Sequence, residues 1–127
     1  LGSAENLPFE DNSFDNVFCS FVWRNVSDTN KALEEVHRVL RPGGKFILLD
    51  MTRPKNSFLK MLHKIGTFKI LHLIGLLTFN LKEYRFLYKS LDFYPQPEEH
   101  LNKDNFIDLK IERMGVFNFV YLAVFTK

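Results

Sequence analysis

Two short apolar segments, separated by the length of one helix, constrain the fold of this chain more than any other feature. The first, residues 17–22, has the sequence VFCSFV, and the second, residues 45–50, has the sequence KFILLD. Neither has a polar face, which is typical of strands in a parallel sheet that is covered on both sides. We therefore predict two fully buried strands, Val17–Val22 and Lys45–Asp50.

The segment between these strands has the pattern of an amphipathic helix. Its apolar residues at helical spacing are Leu33, Val36 and Leu40. Ser27 or Asp28 can serve as the N-cap, and the turn sequence RPGG at 41–44 ends the helix. A strand, a helix and a strand with short connections predict a right-handed crossover unit, so the predicted fold class is α/β.

Helices and then a β-hairpin are predicted for the remainder. Residues 56–91 have a mainly helical pattern, although Gly66 and Gly75 weaken any single long helix. After a proline-marked connection, residues 108–114 alternate apolar and charged side chains, and residues 116–125 are largely apolar. We predict an edge strand paired with a central strand across Gly115.

The composition suits a single globular domain, residues 1–127. Hydrophobic residues make up 46% and charged residues 25%, which excludes disordered and fibrous proteins. The formal charge of +2 gives no indication of a nucleic-acid partner. One cysteine, Cys19, fits a reducing cytoplasm, and no Cys/His spacing predicts a metal site. The uncharged run 70–81 is shorter than the ~20 residues of a membrane-spanning helix.

Four segments of the chain, in this order and spacing, resemble the ubiquinone/menaquinone-biosynthesis C-methyltransferases. They are GSAENLPFEDNSFD (2–15), SFVWRNVSD (20–28), ALEEVHRVLRPGGKFILLD (32–50) and EYRFLYKSL (83–91). The first and third contain motifs shared by many class I methyltransferases, whereas the Arg-Asn pair and the Tyr-Arg-x-Leu segment point to the quinone branch. The chain resembles the C-terminal portion of the family, because the N-terminal strands and their Gly-rich cofactor turn are missing.

This resemblance implies a Rossmann-like fold with a mostly parallel sheet and a C-terminal antiparallel hairpin. It also implies an enzyme that uses S-adenosylmethionine, releases S-adenosylhomocysteine, and methylates a carbon of a small-molecule, quinol-like acceptor. The residues that it places beside the cofactor are Ser3, Ala4, Ser20 and Phe21. Residues 56–94 correspond to a helical substrate cap, in which Tyr84 and Arg85 would contact the acceptor together with Arg24.

The candidate catalytic residues are Arg24, Asn25 and Asp50, which follow the two predicted strands. Ligands bind beyond the carboxyl ends of strands in open parallel sheets, so these residues should share one rim. A ring carbon accepts a methyl group more readily when its hydroxyl is ionised, and a phenol has a pKa of ~10. The Arg24 guanidinium can stabilise the phenolate, Asn25 can orient the ring oxygen or the cofactor carboxylate, and Asp50 or a water held by Arg24 can remove the proton.

Three alternatives stay open at this point. The apolar positions of 58–81 form either ordinary core and lid packing or a greasy channel for a prenyl tail, with Lys60, Lys64 and Lys69 suited to peripheral contact with a membrane. The acceptor could be another small molecule on the same fold. A third interpretation is a non-catalytic fragment whose exposed sheet edge pairs with another chain or with itself as a homo-oligomer.

Overall fold

A computed structural model describes residues 2–101 and 105–127 and shows an α/β fold. The strands are β1 (Phe14–Ser20), β2 (Leu40–Met51), β3 (Asp108–Met114) and β4 (Val120–Thr126). The α-helices are α1 (Thr29–Val39), α2 (Ser57–Leu77), α3 (Leu81–Phe93) and α4 (Pro97–His100). Two short 3-10 helices cover Trp23–Asn25 and Val116–Asn118. The predicted α/β class and the predicted strand Asp108–Met114 are confirmed.

The four described strands form one mixed sheet in the order β1-β2-β4-β3. β1 pairs in parallel with β2, and β4 pairs antiparallel with both β2 and β3. The crossover unit and the C-terminal hairpin are therefore both present. The register places Asp50 of β2 opposite Tyr121 of β4, which brings the end of β2 next to the start of β4.

The boundaries of the first strand differ from the prediction. β1 runs from Phe14 to Ser20 rather than from Val17 to Val22. It ends early because Phe21 has a φ of 57°, in the left-handed region, so the chain turns into the 3-10 helix that begins at Trp23. The apolar character of residues 21 and 22 belongs to this turn, which residue type alone does not distinguish from a strand.

Only one face of the described sheet is covered, which corrects the prediction of two strands buried on both sides. The covered face carries Phe46 and Leu48, which pack with Val36 of α1 in the main core. On the opposite face Phe18 is 72% exposed, and Ile47 is only half-buried. Apolar residues occupy both faces of β1 and β2, so their sequence pattern does not reveal which face lacks a covering layer.

The connections around α1 follow the predicted local chemistry. The Asp28 side chain accepts a hydrogen bond from the Lys31 N–H at 3.0 Å, so Asp28 rather than Ser27 is the N-cap. After the helix, Gly43 has a φ of 79° and its N–H donates to the Lys127 carbonyl at 2.8 Å. The predicted second strand, Lys45–Asp50, is too short, because RPGG lies inside β2 (Leu40–Met51). The turn geometry at Gly43 falls where the register with β1 shifts, between the pairs Phe14–Leu40 and Asn16–Lys45.

Helices α2 and α3 follow β2 in the chain and pack against each other as an antiparallel pair. The α2 helix continues through Gly66 and Gly75, and the break falls at residues 78–80, where Phe79 has a φ of 56°. At Gly75 a side chain would lie 3.1 Å from the Leu81 Cα, so this glycine allows the two helices to approach closely. No helix in the described ranges 2–101 and 105–127 is long and apolar enough to cross a lipid bilayer.

Candidate functional site

A buried ion pair joins the 3-10 helix Trp23–Asn25, which follows β1, to the end of β2. Arg24 Nη1 lies 2.5 Å from Asp50 Oδ1, and the two side chains are 6% and 0% exposed. Asp50 also accepts hydrogen bonds from the backbone N–H groups of Arg24 at 3.3 Å and Met51 at 2.7 Å. The predicted meeting of Arg24 and Asp50 at one rim is present, but the guanidinium is held by Asp50 instead of extending into solvent.

Three further polar groups lie around this ion pair. The hydroxyls of Tyr94 and Tyr121 and the Nε2 atom of His100 are buried and have no hydrogen-bond partner among residues 2–101 and 105–127. Burial raises the pKa of both phenols, and the Asp50 carboxylate raises it further, so both tyrosines stay neutral hydrogen-bond donors. The His100 Nδ1 lies 2.8 Å from the Gln96 carbonyl and must donate to it, which leaves Nε2 as an acceptor.

A cavity beside the 3-10 helix Trp23–Asn25 brings together three of the residues that the sequence predicts for the site. This cavity of about 250 Å³ is lined by residues 3–5, Val22 and residues 25–27. Ser3, Ala4 and Asn25 therefore share one pocket. Its position, at the carboxyl end of β1, is where open α/β sheets bind ligands.

Glu5, which the sequence analysis did not select, holds this pocket together. Its carboxylate accepts hydrogen bonds from the backbone N–H groups of Ser27 and Asp28, at 3.1 and 2.9 Å. The Ser3 hydroxyl donates to the same carboxylate at 2.7 Å. The hydrogen bond from Asp28, followed by the one from Ser3, lowers the pKa of Glu5, so the carboxylate is ionised at neutral pH. The loop at 3–6 is thereby fixed against the start of α1.

Ser20 and Phe21, the other two predicted cofactor residues, do not line this cavity. They lie at the end of β1, where the Phe21 N–H donates to the Leu49 carbonyl at 2.8 Å. The left-handed φ of Phe21 is rare for a bulky residue, and such strained conformations concentrate at functional sites. This strained turn directs the chain from β1 toward Arg24.

Tyr84 and Arg85 lie in a different cavity, between the two long helices. This cavity of about 170 Å³ has walls from α2, including Phe68 and Leu71, and from α3, including Tyr84, Arg85 and Tyr88. Its lining is mainly apolar, with cationic groups at the margin. The structure thus places the predicted residues in two cavities: the rim pocket, which contains Ser3, Ala4 and Asn25, and the cap pocket, which contains Tyr84 and Arg85.

Sequence reasoning missed Tyr94, His100 and Tyr121 as neighbours of the ion pair. Tyr121 could have been found by pairing the apolar strand after Gly115 with β2, since that register sets it opposite Asp50. Tyr94 and His100 come from the connection around α4, for which the sequence has no periodic pattern. Within the described residues, no group of three or more His, Cys, Asp or Glu side chains could hold a metal ion.

Comparison with known proteins places this chain in a defined family. The profile of the ubiE/COQ5 methyltransferase family matches residues 1–115. The chain belongs to this family. It is 45% identical over 100 residues to proteins of Rickettsia felis and Rickettsia bellii that are both named ubiquinone/menaquinone biosynthesis C-methyltransferase UbiE. Each alignment covers 78% of this chain but 40% of the relative, so the chain spans less than half the length of these ubiE/COQ5 proteins.

Solved structures agree on the fold of this ubiE/COQ5 chain. A SAM-dependent methyltransferase from Thermotoga maritima superimposes with a TM-score of 0.65 at 22% identity, over 99% of this chain and 62% of the other. A protein from Pyrococcus horikoshii superimposes with a TM-score of 0.52 at 21% identity, over 99% and 60% of the two chains. The predicted Rossmann-like class I methyltransferase fold is confirmed.

Proposed function

We propose that this chain contributes the acceptor side of an S-adenosylmethionine-dependent C-methyltransferase that acts on a prenylated quinol. The observation that carries the proposal is the position of Asn25, which lines a pocket with Ser3 and Ala4 while its neighbour Arg24 binds Asp50. Cofactor and acceptor residues are thus adjacent in the chain. The relatives of this family are named as C-methyltransferases of ubiquinone and menaquinone biosynthesis.

The rim pocket fits one end of the cofactor. Its volume of about 250 Å³ lies just below the ~300 Å³ at which pockets enclose a whole drug-sized ligand, so it suits a part of S-adenosylmethionine such as the adenine. Val22 and Ala4 offer apolar contact to a flat ring, and the Ser3 hydroxyl and Asn25 amide offer hydrogen bonds. The bound cofactor would supply an electrophilic methyl group on its sulfonium.

Arg24, Asn25 and Asp50 would then act on the acceptor. The Arg24 guanidinium has five N–H donors and can stabilise the developing phenolate while one donor stays on Asp50. The Asp50 oxygens already accept three N–H groups, so we assign Asp50 the orientation of Arg24 and leave proton removal to a water beside the pair. Asn25 would orient the ring oxygen or the cofactor carboxylate.

The helical cap, residues 56–94, would hold the remainder of the acceptor. The pocket between α2 and α3 is mainly apolar, which suits the first units of a prenyl tail. Tyr84 and Arg85 stand at this pocket and would bind the more polar end of the acceptor. The cap exposes apolar side chains, and residues 57–93 contain six Lys or Arg against two acidic residues, so we place the protein in the cytoplasm at a membrane surface.

Cofactor binding can be tested without turnover. We expect S-adenosylhomocysteine, titrated into the 15N-labelled chain, to shift the amide resonances of Ser3, Ala4 and Asn25 while those of β3 stay unchanged. Replacement Asn25→Ala should weaken this binding, whereas Asn30→Ala, a change of the same type on helix α1, should not. An equal effect of the two replacements, or shifts outside the rim pocket, would refute the assignment.

The proposed role of Arg24 at the acceptor can be tested by measuring methyl transfer in a longer enzyme that contains residues 1–127. With a short-tailed demethyl-quinol, Arg24→Lys should lower kcat by about 10²-fold or more, because an ammonium lacks the planar set of donors that bridges Asp50 and a phenolate. S-adenosylhomocysteine binding should stay near wild type. Full turnover in Arg24→Lys would remove Arg24 from the mechanism, and methylation of an unrelated acceptor alone would favour the alternative substrate class.

A second candidate function is association through β1 without catalysis. It is favoured by the 72% exposure of Phe18 on the uncovered face of an edge strand. Sedimentation velocity should then show a concentration-dependent dimer that Phe18→Lys dissociates and Phe93→Lys, on the exposed end of α3, does not. A monomer at all concentrations would eliminate this candidate.

A further inference from the structure

Arg53 is a buried cation that the proposed reaction does not use. It follows the end of β2, and the residue is 1% exposed. A buried guanidinium is costly unless its donors are satisfied, because it has lost its hydration. The contacts that satisfy Arg53 therefore indicate what its position achieves.

The side-chain hydrogen bonds that Arg53 makes with the described residues are all with α2 and α3. Its Nε donates to Asp92 Oδ1 at 2.9 Å and its Nη2 to the Tyr88 carbonyl at 3.3 Å, both on α3. Its Nη1 donates to Thr67 Oγ1 at 2.9 Å and lies 3.2 Å from His63 Nδ1, both on α2. The guanidinium also lies 4.9 Å from the centre of the Tyr88 ring. One side chain from the segment after β2 thus joins both helices.

These contacts reach the cap pocket. Tyr88 is one of its lining residues, and it lies one helical turn from Tyr84 on the same face of α3. Arg53 is also three residues beyond Asp50 on the same chain segment. A change in the Arg53 contacts would therefore alter how the cap pocket is oriented relative to the Arg24–Asp50 pair.

We propose that Arg53 is a positioning residue, whose guanidinium fixes α2 and α3 over the end of β2 and so aligns the cap pocket with the Arg24–Asp50 pair. The part of this proposal that concerns catalysis rests on the proposed methyl transfer. The part that concerns the attachment of the cap does not.

His63 makes this attachment sensitive to pH. A guanidinium only donates hydrogen bonds, so Nδ1 of His63 must be unprotonated to face it. Burial, and then the charge of Arg53, lowers the pKa of His63 below 6.5. The groups around His63 are Arg53 from the end of β2, the Phe119 ring from the segment before β4, Lys64 on α2, and Asp92 of α3, which binds both cations.

The sign of the pH effect follows from this lowered pKa. A histidine that is harder to protonate in the folded state stabilises that state fully above pH 6.5. The stabilisation is lost as the pH falls from 6.5 through the lowered pKa, when a second cation forms beside Arg53. We therefore expect the cap to loosen in mild acid while the sheet stays intact.

Hydrogen exchange followed by mass spectrometry tests the attachment. In Arg53→Lys, a single ammonium cannot reach four partners on two helices, so exchange in α2 and α3 should accelerate about tenfold or more. Exchange in β2 and β4 should change less than about twofold. Equal acceleration in cap and sheet would show only a loss of global stability, and an unchanged cap would show no attachment; either result overturns the proposal.

The variant His63→Asn supplies a test that does not remove Arg53. The Asn Oδ1 can replace Nδ1 as acceptor but cannot be protonated, so the acid-dependent loosening should disappear while the neutral-pH exchange of the cap stays near wild type. If wild type and His63→Asn show the same pH profile, the assigned role of His63 is wrong and the pH-dependent part of the proposal is refuted.

Turnover in the longer enzyme separates this proposal from the proposed function. Arg53→Lys should lower kcat/KM for the acceptor about tenfold or more and leave S-adenosylhomocysteine affinity unchanged, since Glu5 rather than Arg53 holds the rim pocket. Unchanged kcat/KM together with a loosened cap would refute the catalytic part. Absence of S-adenosylhomocysteine binding to the wild-type protein would refute the proposed function and leave the exchange test valid.

Discussion

The Arg24–Asp50 pair shows how one residue contact carries both stability and chemistry. The Asp50 side chain is fully buried. Its carboxylate is compensated by Arg24 and by two backbone N–H groups, which all donate to it. Buried pairs of this kind add little net stability compared with apolar residues, but removal of one partner leaves an uncompensated charge. The pair is thus better understood as a positioned cation than as a stabilising device.

This view predicts how replacements of Arg24, Arg41 and Asp50 change the stability of the chain. Arg24→Met should reduce the free energy of unfolding by about 3–5 kcal/mol, because it leaves the Asp50 carboxylate buried alone. Arg41→Met breaks the exposed Arg41–Asp15 pair and should cost at most about 1 kcal/mol. The double variant Arg24→Met with Asp50→Asn should lose less than the sum of its two single changes. Urea denaturation measures all of them.

The free energies of unfolding of Arg24→Met and Arg41→Met test whether Asp50 depends on Arg24 for compensation of its buried charge. If Arg24→Met and Arg41→Met have the same free energy of unfolding, the loss of Arg24 leaves no uncompensated buried charge, and the buried-charge argument fails. A strictly additive double variant would likewise show that the two side chains do not stabilise each other.

Sequence reasoning identified the individual residues that stand in a recognisable short motif. Arg24, Asn25 and Asp50 were selected because they follow apolar runs, and the structure brings Arg24 and Asp50 into contact. Arg53 was not selected, although it is only three residues beyond Asp50. Its partners are 10 to 39 residues distant in sequence, and no pattern of residue types predicts such contacts.

The helices and strands were predicted better than the layers that pack against them. Periodicity identified the α1 helix and the hairpin, because these depend on side chains a few residues apart. The coverage of β1 was predicted wrongly, because an apolar strand has the same sequence whether one or both faces are packed. The end of β1 was also missed, since the left-handed turn at Phe21 uses no glycine or asparagine.

Two glycines in α2 make a matched test of helix packing. A methyl group added at Gly66 would meet no atom of the described residues within 4 Å, so Gly66→Ala should raise the free energy of unfolding by about 0.5–1 kcal/mol through helix propensity alone. At Gly75 the same methyl group would lie 3.1 Å from both the Cα and the Cδ2 of Leu81. Gly75→Ala should therefore lose that gain and loosen the α2–α3 contact.

Thermal unfolding and hydrogen exchange of α3 distinguish the two outcomes. We expect a higher Tm for Gly66→Ala and faster exchange of α3 for Gly75→Ala. An equal rise in Tm for both variants would mean that the helices can separate at Gly75 without cost, and the close approach would not contribute to the cap.

On the scale of the whole molecule, apolar surface is distributed unevenly. The covered sheet face forms the core with α1, whereas α2 and α3 pack mainly on each other and expose apolar side chains along their length. Large exposed residues of this pair include Phe58, Ile70, Leu73, Leu77, Phe79 and Phe86. An apolar surface beside an excess of basic residues is typical of proteins that bind at the surface of anionic membranes.

Vesicle binding tests whether the exposed apolar surface of α2 and α3 contacts a membrane. The chain should cosediment with vesicles containing phosphatidylglycerol more than with neutral phosphatidylcholine vesicles, and added salt should weaken binding because it screens the lysines. Phe79 is 95% exposed at the tip of the helix pair, and its φ of 56° suits asparagine. Phe79→Asn should lower the partition coefficient about tenfold, which corresponds to about 1.4 kcal/mol of lost apolar burial.

The matched control is Ile107→Asn, which removes a side chain that is 79% exposed beside β3, away from the helix pair. Its partition coefficient should stay within about twofold of wild type, because an exposed residue outside the inserted surface contributes no burial. Equal losses for the two variants would show nonspecific adsorption of apolar surface. Binding that is indifferent to lipid charge would remove the lysines from the argument and leave the cap as a lid over the acceptor alone.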